Sequence, residues 1–143
     1  MLVKDIMVKT PKIIDAGTSI FEAAKLMADQ NVGFLPVQAN DKIIGMLTDR
    51  DITLRVVATS KDAKKTKAQD VMSKSLFYCY ENDTLESVLD TFGKKQIHRM
   101  PVMNANKKLV GEISLGDIAR AAKKDEKLYA LIGKAKELIC KAA

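Results

Sequence analysis

The residues best suited to chemistry lie in two copies of one short pattern, in which a glycine is followed by a hydroxyl residue and then, three positions later, by an aspartate. The first copy begins at Gly45 and contains Thr48 and Asp51, and the second covers residues 111–117. This spacing is typical of a capping box at a helix start. It would equally offer phosphate the free N–H groups of a helix end, and offer ribose hydroxyls a carboxylate. The glycine that opens each copy would let a ligand or a neighbouring backbone approach closely. The residues alone leave the capping and the ligand-binding interpretations open.

The two copies belong to a duplication that covers most of the chain. Residues 5–7, Asp-Ile-Met, return as Asp-Val-Met at 70–72, and at the same spacing Leu-Pro-Val at 35–37 returns as Met-Pro-Val at 100–102. After the hairpin tip, the separation between equivalent residues of the two repeats grows by one residue. A hairpin tip is where an insertion is tolerated. We conclude that one structural unit is present twice.

Each repeat has the pattern strand, helix, strand, strand, helix. In the first repeat, Ser19 with Glu22 predicts a capped helix that ends near Asn31, and Pro36 is expected only near a strand start or a sheet edge. The other predicted elements of this repeat are strands at 12–14, 34–38 and 43–47, a hairpin turn at 39–42, and a helix that starts at Thr48 and runs through Val57.

These elements predict an α+β (α/β) fold, because strands and helices alternate within each repeat. Neither repeat alone buries enough surface, so we expect two β-α-β-β-α units packed with pseudo-two-fold symmetry. The expected division of the chain is unit 1 at 1–58, a basic linker at 59–68, unit 2 at 69–122 and a C-terminal amphipathic helix at 123–143.

The predicted C-terminal helix lies outside the repeat and carries one apolar stripe. Its stripe comprises Leu128, Leu131, Ile132, Ala135, Leu138 and Ile139. Such a stripe must cover apolar surface either on this chain or on a partner. We expect this helix to be an output or dimerisation element.

Composition restricts the function classes. The 47% apolar and 29% charged residues of the 143-residue chain are typical of a soluble protein, and no apolar run could span a membrane. The N-terminus lacks a secretory signal, so cytoplasmic residence is expected. With a single histidine, no metal-ligand spacing at the two cysteines, no phosphate-binding Gly-rich loop and no catalytic constellation, we expect neither a metal site nor enzyme activity. The net charge of +6 fits solvated lysines or a phosphate-bearing partner, but without interleaved aromatics nucleic acid is not the expected partner.

On these motifs, and on the stretches at 33–37 and 98–102, the chain resembles the CBS domain, present over residues 1–122 as a tandem pair (a Bateman module). The resemblance implies two units that pair through their sheets, with one or two adenosine-ligand clefts between them. It also implies assembly of two chains into a flat disc. Such modules sense AMP, ADP, ATP or S-adenosylmethionine and regulate an attached or associated protein.

The resemblance also implies roles for individual residues. Asp51 and Asp117 would hold ribose, and Thr48 and Ser114 would contact ribose or phosphate. The base would lie against the strand segments 34–36 and 100–101. The full set of expected ligand contacts is Thr10, Ile14, Phe34, Leu35, Pro36, Thr48, Arg50, Asp51, Ser75, Cys79, His98, Arg99, Met100, Pro101, Ser114 and Asp117.

Phosphate contacts should differ between the repeats. The second repeat has His98 and Arg99 before its proline, where the first has Gly33 and Phe34, and only the first has Arg50. Arginine can hold phosphate oxygens through two hydrogen bonds. The two clefts are therefore predicted to differ in phosphate affinity.

The leading hypothesis is a stand-alone CBS-pair regulatory module without a catalytic cofactor. An adenine nucleotide (AMP, ADP or ATP) or S-adenosylmethionine would act as regulatory ligand, and a homodimer would signal to an unidentified protein partner. Two alternatives remain: a structural interaction module whose clefts are filled by side chains, and a nucleic-acid-associated protein that uses its lysines.

Overall fold

The computed structural model describes residues 1–9, 11–123 and 125–141, which form an α+β fold. The strands are β1 (Val8–Lys9), β2 (Ile14–Asp15), β3 (Phe34–Ala39), β4 (Lys42–Thr48), β5 (Cys79–Tyr80), β6 (Arg99–Met103) and β7 (Leu109–Ser114). The helices are α1 (Val3–Ile6), α2 (Ile20–Gln30), α3 (Asp49–Ile52), α4 (Ala68–Val71), α5 (Leu85–Lys95), α6 (Leu115–Ala121) and α7 (Glu126–Cys140), with a π-helical turn at Thr53–Val57.

The chain forms two compact units that exchange the opening segments of the two repeats. The first-repeat unit is Pro11–Leu76, and the second-repeat unit combines Met1–Thr10 with Phe77–Ala143. The opening residues of the first repeat therefore pack with the second repeat. The residues that open the second repeat pack with the first.

The first-repeat unit is built on a sheet in the order β2-β3-β4, with β2 parallel and β4 antiparallel to β3. The β3–β4 hairpin turns at Asn40 and Asp41, whose φ angles of 51° and 60° are typical of a tight hairpin turn. One face of this sheet packs on α2 and α4 in a core that includes Ile20, Met27, Leu35, Val37, Leu47 and Val71. The turn at 39–42 is therefore confirmed.

Pro36 is the third residue of β3, the central strand of this sheet, and the sequence predicts it near a strand start or a sheet edge. Its antiparallel partner Met46 exchanges both backbone hydrogen bonds with Ser73, so this position of β4 makes none with Pro36. On the other side, β2 pairs with β3 only from Val37 onward. The missing N–H of Pro36 therefore costs no ladder hydrogen bond, because the sheet locally leaves that position unpaired.

Helix α2 starts and ends where the sequence predicts. The Oγ of Ser19 accepts from the backbone N–H of Glu22, and Asn31 ends the helix in the left-handed conformation with φ 53°. The connector binds the start of this helix, since Ile20 N donates to the carbonyl of Thr66 at 2.9 Å. The basic connector is therefore held against its unit at this point.

Two predicted elements differ from the structure. The strand expected at 12–14 forms at Ile14–Asp15, and Ile13 is exposed. The helix after Thr48 is regular only to Ile52 and then widens into the π turn, where Val56 is buried and Val57 is 69% exposed. The widening changes which side chains face the core. The helical segment still runs through Val57, as the sequence predicts.

The second-repeat unit repeats this plan with one additional strand. Its sheet has the order β1-β7-β6-β5, and β1 is antiparallel to β7. Thr84 caps α5 by accepting from the N–H of Ser87. The core includes Val3, Leu85, Leu89, Phe92, Val102 and Ile118.

Helix α7 covers apolar surface of its own unit. Leu128 and Ala135 are buried in the second-repeat core, and α7 packs along α5. A Cβ atom on Gly93 of α5 would lie 2.9 Å from Leu138 Cδ1 and 3.4 Å from Ala135 Cα. The helices approach closely because residue 93 has no side chain.

Leu128 offers a test of whether α7 is part of the folded unit. Leu128→Ala should lower the free energy of unfolding by about 2–4 kcal/mol, because the side chain is 3% exposed and leaves a cavity. Tyr129→Ala, at the neighbouring position that is 64% exposed, should change it by less than about 0.5 kcal/mol. Urea denaturation followed by circular dichroism measures both. Equal effects of the two variants would contradict the packing of α7.

Candidate functional site

The repeated pattern forms two strand-to-helix corners with the same internal geometry. In the first corner, Thr48 to Asp51, Thr48 N donates to Asp51 Oδ2 at 3.0 Å and Asp51 N donates to Thr48 Oγ1 at 3.1 Å. In the second corner, Ser114 to Asp117, the corresponding distances are 2.8 Å and 3.2 Å. Both corners are complete capping boxes, so the capping interpretation is confirmed.

The carboxylate of the first corner has further partners within its unit. Asp51 is 7% exposed, and Ser73 Oγ donates to its Oδ1 at 3.2 Å. Arg55 Nη1 lies 3.6 Å from the same oxygen and donates to the carbonyl of Val71 at 2.8 Å. Asp51 therefore ties the corner to the segment at 71–73.

The carboxylate of the second corner is paired differently. Asp117 forms an ion pair with Arg120, one turn further along α6. Ser114 Oγ lies 2.6 Å from Asp117 Oδ2. Because the arginine comes from the same helix, this corner contains its own counter-charge.

The start of α3 does not offer the free N–H groups that the sequence leads us to expect there. Asp49 N donates to the carbonyl of Gly33 at 2.9 Å, Arg50 N donates to Asp49 Oδ1 at 2.9 Å, and Asp51 N donates to Thr48. The expectation is wrong because side chains and the neighbouring loop already satisfy these donors. Ligand recognition at this corner would depend on side chains.

The glycines before the corners accommodate a neighbouring backbone. A Cβ atom on Gly45 would lie 2.8 Å from the carbonyl oxygen of Ser73, and one on Gly111 would lie 2.7 Å from that of Val8. Of the two neighbours that the sequence allows, a ligand or a backbone, the structure places a backbone at each glycine.

The hairpin of the first repeat presents an apolar face on the side away from its core. Directly opposed strand residues share a face, and the pair Leu35–Leu47 lies in the core. The pairs Phe34–Thr48 and Pro36–Met46 therefore lie on the opposite face, which we call the outer face.

The same outer face is charged in the second repeat. Met100–Ile113 is the core pair here, and Arg99–Ser114 and Pro101–Glu112 lie on the outer face. Two positions thus change character between repeats: Phe34 becomes Arg99, and Met46 becomes Glu112.

Some of the expected contact residues lie inside the cores. Ile14, Leu35, Cys79 and Met100 are between 0% and 6% exposed and belong to the hydrophobic clusters of their units. Burial, with a smaller contribution from the charge of Asp83, raises the pKa of the Cys79 thiol to about 12, so that thiol stays protonated at neutral pH. These side chains support the strands from the core side.

Other expected contacts lie at the surface. Arg50, Ser75 and His98 are exposed, and Arg99 is half-buried. Ser75 falls in the same compact unit as Asp51 rather than with Asp117. Thr10 lies outside the described residues.

Three polar residues near the corners escape the sequence motif. Ser73 and Arg55 contact Asp51, and Glu112 lies on the outer face next to Ser114. Glu112 leaves a sequence signal, since aligning the two repeats sets it against Met46. Arg55 leaves one as well, since it follows Asp51 by four residues on a predicted helix. Ser73 cannot be found this way, because its approach to Asp51 depends on the exchange of opening segments.

Glu112, a carboxylate of the outer face, has a pKa above its ordinary value. Burial raises its pKa above the ordinary 4.5, the charge of Arg99 lowers it, and the charge of Asp117 raises it. All three groups therefore interact electrostatically on this face.

The described part of the chain contains no group of three or more His, Cys, Asp and Glu side chains arranged to hold a metal ion. Its helices also include none that is both long and apolar enough to cross a membrane.

Residues 3–58 and 68–124 match the CBS domain family. The chain belongs to the CBS domain family. The CBS domain-containing protein YhcV of Bacillus subtilis is 40% identical over 117 residues, which cover 82% of each chain. Hypoxic response protein 1 of Mycobacterium tuberculosis is 30% identical over 118 residues, with 82% of each chain covered.

A solved CBS domain pair, that of protein MJ0100, has a TM-score of 0.76 to this chain. It is 29% identical, and the match covers 85% of this chain and 94% of that one. The MJ0100 pair was solved in complex with 5′-methylthioadenosine and S-adenosylmethionine. Some relatives are enzymes, but the chain spans only 23% of the length of the L-aspartate semialdehyde sulfurtransferase of Methanocaldococcus jannaschii.

Gly45→Ala tests the backbone contact at the first CBS corner. The added Cβ would meet the carbonyl of Ser73, which cannot move without breaking its pairing with Met46, so we expect a loss of about 1–3 kcal/mol in unfolding free energy. Gly17→Ala is the matched control in the same unit, because no atom lies within 4 Å of its Cβ position. Denaturation measures both. If Gly45→Ala were as harmless as the control, the contact would be disproved.

Glu112 predicts a pH dependence of stability in the second CBS repeat. A carboxyl whose folded pKa is raised stabilises nothing at low pH and costs stability as pH rises from about 4.5 through the folded value. Glu112→Gln should therefore match the wild-type unfolding free energy below pH 4 and exceed it at pH 7. Glu126→Gln, at an exposed position of α7, is the charge control. A Glu112→Gln difference that is the same at both pH values would refute the assignment.

Proposed function

We propose that this CBS pair binds an adenosine-containing ligand at its two corners and communicates occupancy to a protein partner. The observation that carries the proposal is the duplicated corner, where a strand delivers a hydroxyl residue and a nearly buried aspartate to the same helix start. Support comes from the MJ0100 pair, which is similar to this chain and was solved with two adenosyl compounds.

The corners suit ribose because each holds its carboxylate in a fixed position. Asp51 Oδ2 accepts from the N–H of Thr48, while Oδ1 accepts from Ser73 at 3.2 Å and faces Arg55 at 3.6 Å. Carboxylate oxygens have several acceptor positions, so a ribose hydroxyl can add to this set. The outer faces beside the corners would receive the base, with Pro36 and Pro101 as the contact residues shared by both repeats.

Communication would start from the contacts of Asp51. The same arginine that faces this carboxylate also holds the carbonyl of Val71, in the segment that follows the connector. A ligand that drew Asp51 or Arg55 into new contacts would change the hold on that segment. A ligand can shift such an equilibrium only by its difference in affinity for the two arrangements. We also propose that the role of this chain is regulatory rather than catalytic. Two copies would form a homodimer, which would act on an unidentified protein partner.

A structural interaction module without ligand is the second candidate, and one observation favours it. Among the side chains of residues 1–9, 11–123 and 125–141, no buried nitrogen or oxygen lacks a hydrogen-bond partner. The corner aspartates therefore do not need a ligand to be satisfied. The two candidates differ only in whether adenosine compounds bind.

Calorimetric titration with AMP, ADP, ATP, S-adenosylmethionine and 5′-methylthioadenosine distinguishes the candidates. We expect at least one compound to bind, and Asp51→Asn and Asp117→Asn each to weaken binding at their own corner about 10- to 100-fold, which corresponds to losing hydrogen bonds to a charged group.

Matched controls separate ligand contact from helix capping. Ser19→Ala and Thr84→Ala remove the N-caps of α2 and α5, one in each unit, at positions where no ligand is proposed. They should cost about 1 kcal/mol of stability and leave affinity unchanged. Equal losses of affinity in the controls would assign the effect to stability. No heat from any compound would establish the structural module instead.

A further inference from the structure

The outer faces of the two hairpins differ at one diagonal pair. In the first repeat this pair is Phe34 and Met46, which are 4% and 7% exposed. In the second repeat it is Arg99 and Glu112, which are half-buried. Diagonal neighbours across an antiparallel pair lie within reach of long side chains, so Arg99 and Glu112 are placed to interact.

Charged side chains of both signs lie at the second corner. Two carboxylates, Glu112 and Asp117, accompany two guanidinium groups, those of Arg99 and Arg120. Arg120 is paired with Asp117, and Glu112 lies diagonally across the strand pair from Arg99. That the charge of Arg99 lowers the pKa of Glu112 agrees with this placement.

The carboxylate of Glu112 opposes the phosphate binding that the sequence motif suggests. His98 and Arg99 alone favour phosphate at the second repeat. A neighbouring ionised carboxylate repels phosphate and attracts a cation, so the net effect of the face depends on Glu112.

We propose that Glu112 sets the ligand charge that the second corner accepts, favouring an adenosine compound whose 5′ substituent is uncharged or cationic over one that carries phosphate. This inference rests on the proposed function. It assigns to the second corner a thioether or sulfonium nucleoside. Where such a ligand carries a carboxylate, as S-adenosylmethionine does, it assigns that carboxylate to Arg99. Arginine binds a carboxylate in the same two-pronged manner as phosphate.

Glu112→Gln tests the proposal, because it keeps the shape of the side chain and removes its charge. The full chain is titrated at about pH 8 with AMP, S-adenosylmethionine and 5′-methylthioadenosine. The ratio of the AMP Kd to the S-adenosylmethionine Kd should fall about tenfold, which is 1.4 kcal/mol. The Kd of uncharged 5′-methylthioadenosine should stay within about threefold. Glu112→Met, which installs the residue of the first repeat, should shift the ratio in the same direction.

Two controls locate the effect. Glu126→Gln removes one negative charge from an exposed position on α7 of the same unit and should leave the ratio unchanged. Asp117→Asn, by weakening binding at the second corner, should abolish the effect of Glu112→Gln. A ratio that stays within twofold in Glu112→Gln, while wild type binds the ligands, overturns this inference and leaves the proposed function standing. If the wild type binds none of the three compounds, this inference is overturned. The proposed function is overturned as well only if ADP and ATP also fail to bind.

Discussion

A backbone segment lies directly against Gly45, and another lies against Gly111, so close that neither position has room for a Cβ atom. The other local contacts follow from this approach. It brings Ser73 within hydrogen-bonding distance of Asp51, and it sets Val8 opposite Glu112 in the adjacent strand. Because close packing transmits small displacements, the position of each corner carboxylate depends on a contact that lies several residues earlier in the chain.

Local signals in the sequence predicted the parts of the fold that local physics determines. A hydroxyl side chain fixes a helix start when its oxygen accepts from the backbone N–H three positions later. Four residues cap helices in this way: Ser19, Thr48, Thr84 and Ser114. The apolar stripe of α7 likewise predicted its helix. The exchange of opening segments could not be predicted in this way, because strand partners far apart in sequence leave no local signature. For the same reason Ser73 was missed at the site.

One backbone plan supports two different chemistries in this chain. The pairs Phe34–Thr48 and Arg99–Ser114 occupy the same register position of their hairpins, yet one side chain is aromatic and the other is a cation. The core pairs behind them stay apolar in both repeats, since substitutions there leave cavities or strain. Duplication thus leaves the outer face free to change while the core holds the strands in place. Family membership alone therefore does not define which side chains each corner presents.

The exchanged opening segments have a consequence for folding and for ancestry. Strand β1 can pair with β7 only after nearly the whole chain has been synthesised, and such non-local pairing slows folding. A chain containing a single repeat would carry one glycine corner but, in this arrangement, not the segment that covers it. Such a chain could complete its sheet by receiving the opening segment of a second copy, in the manner of a domain-swapped dimer. Fusion of two such copies would convert an intermolecular exchange into the intramolecular one seen here.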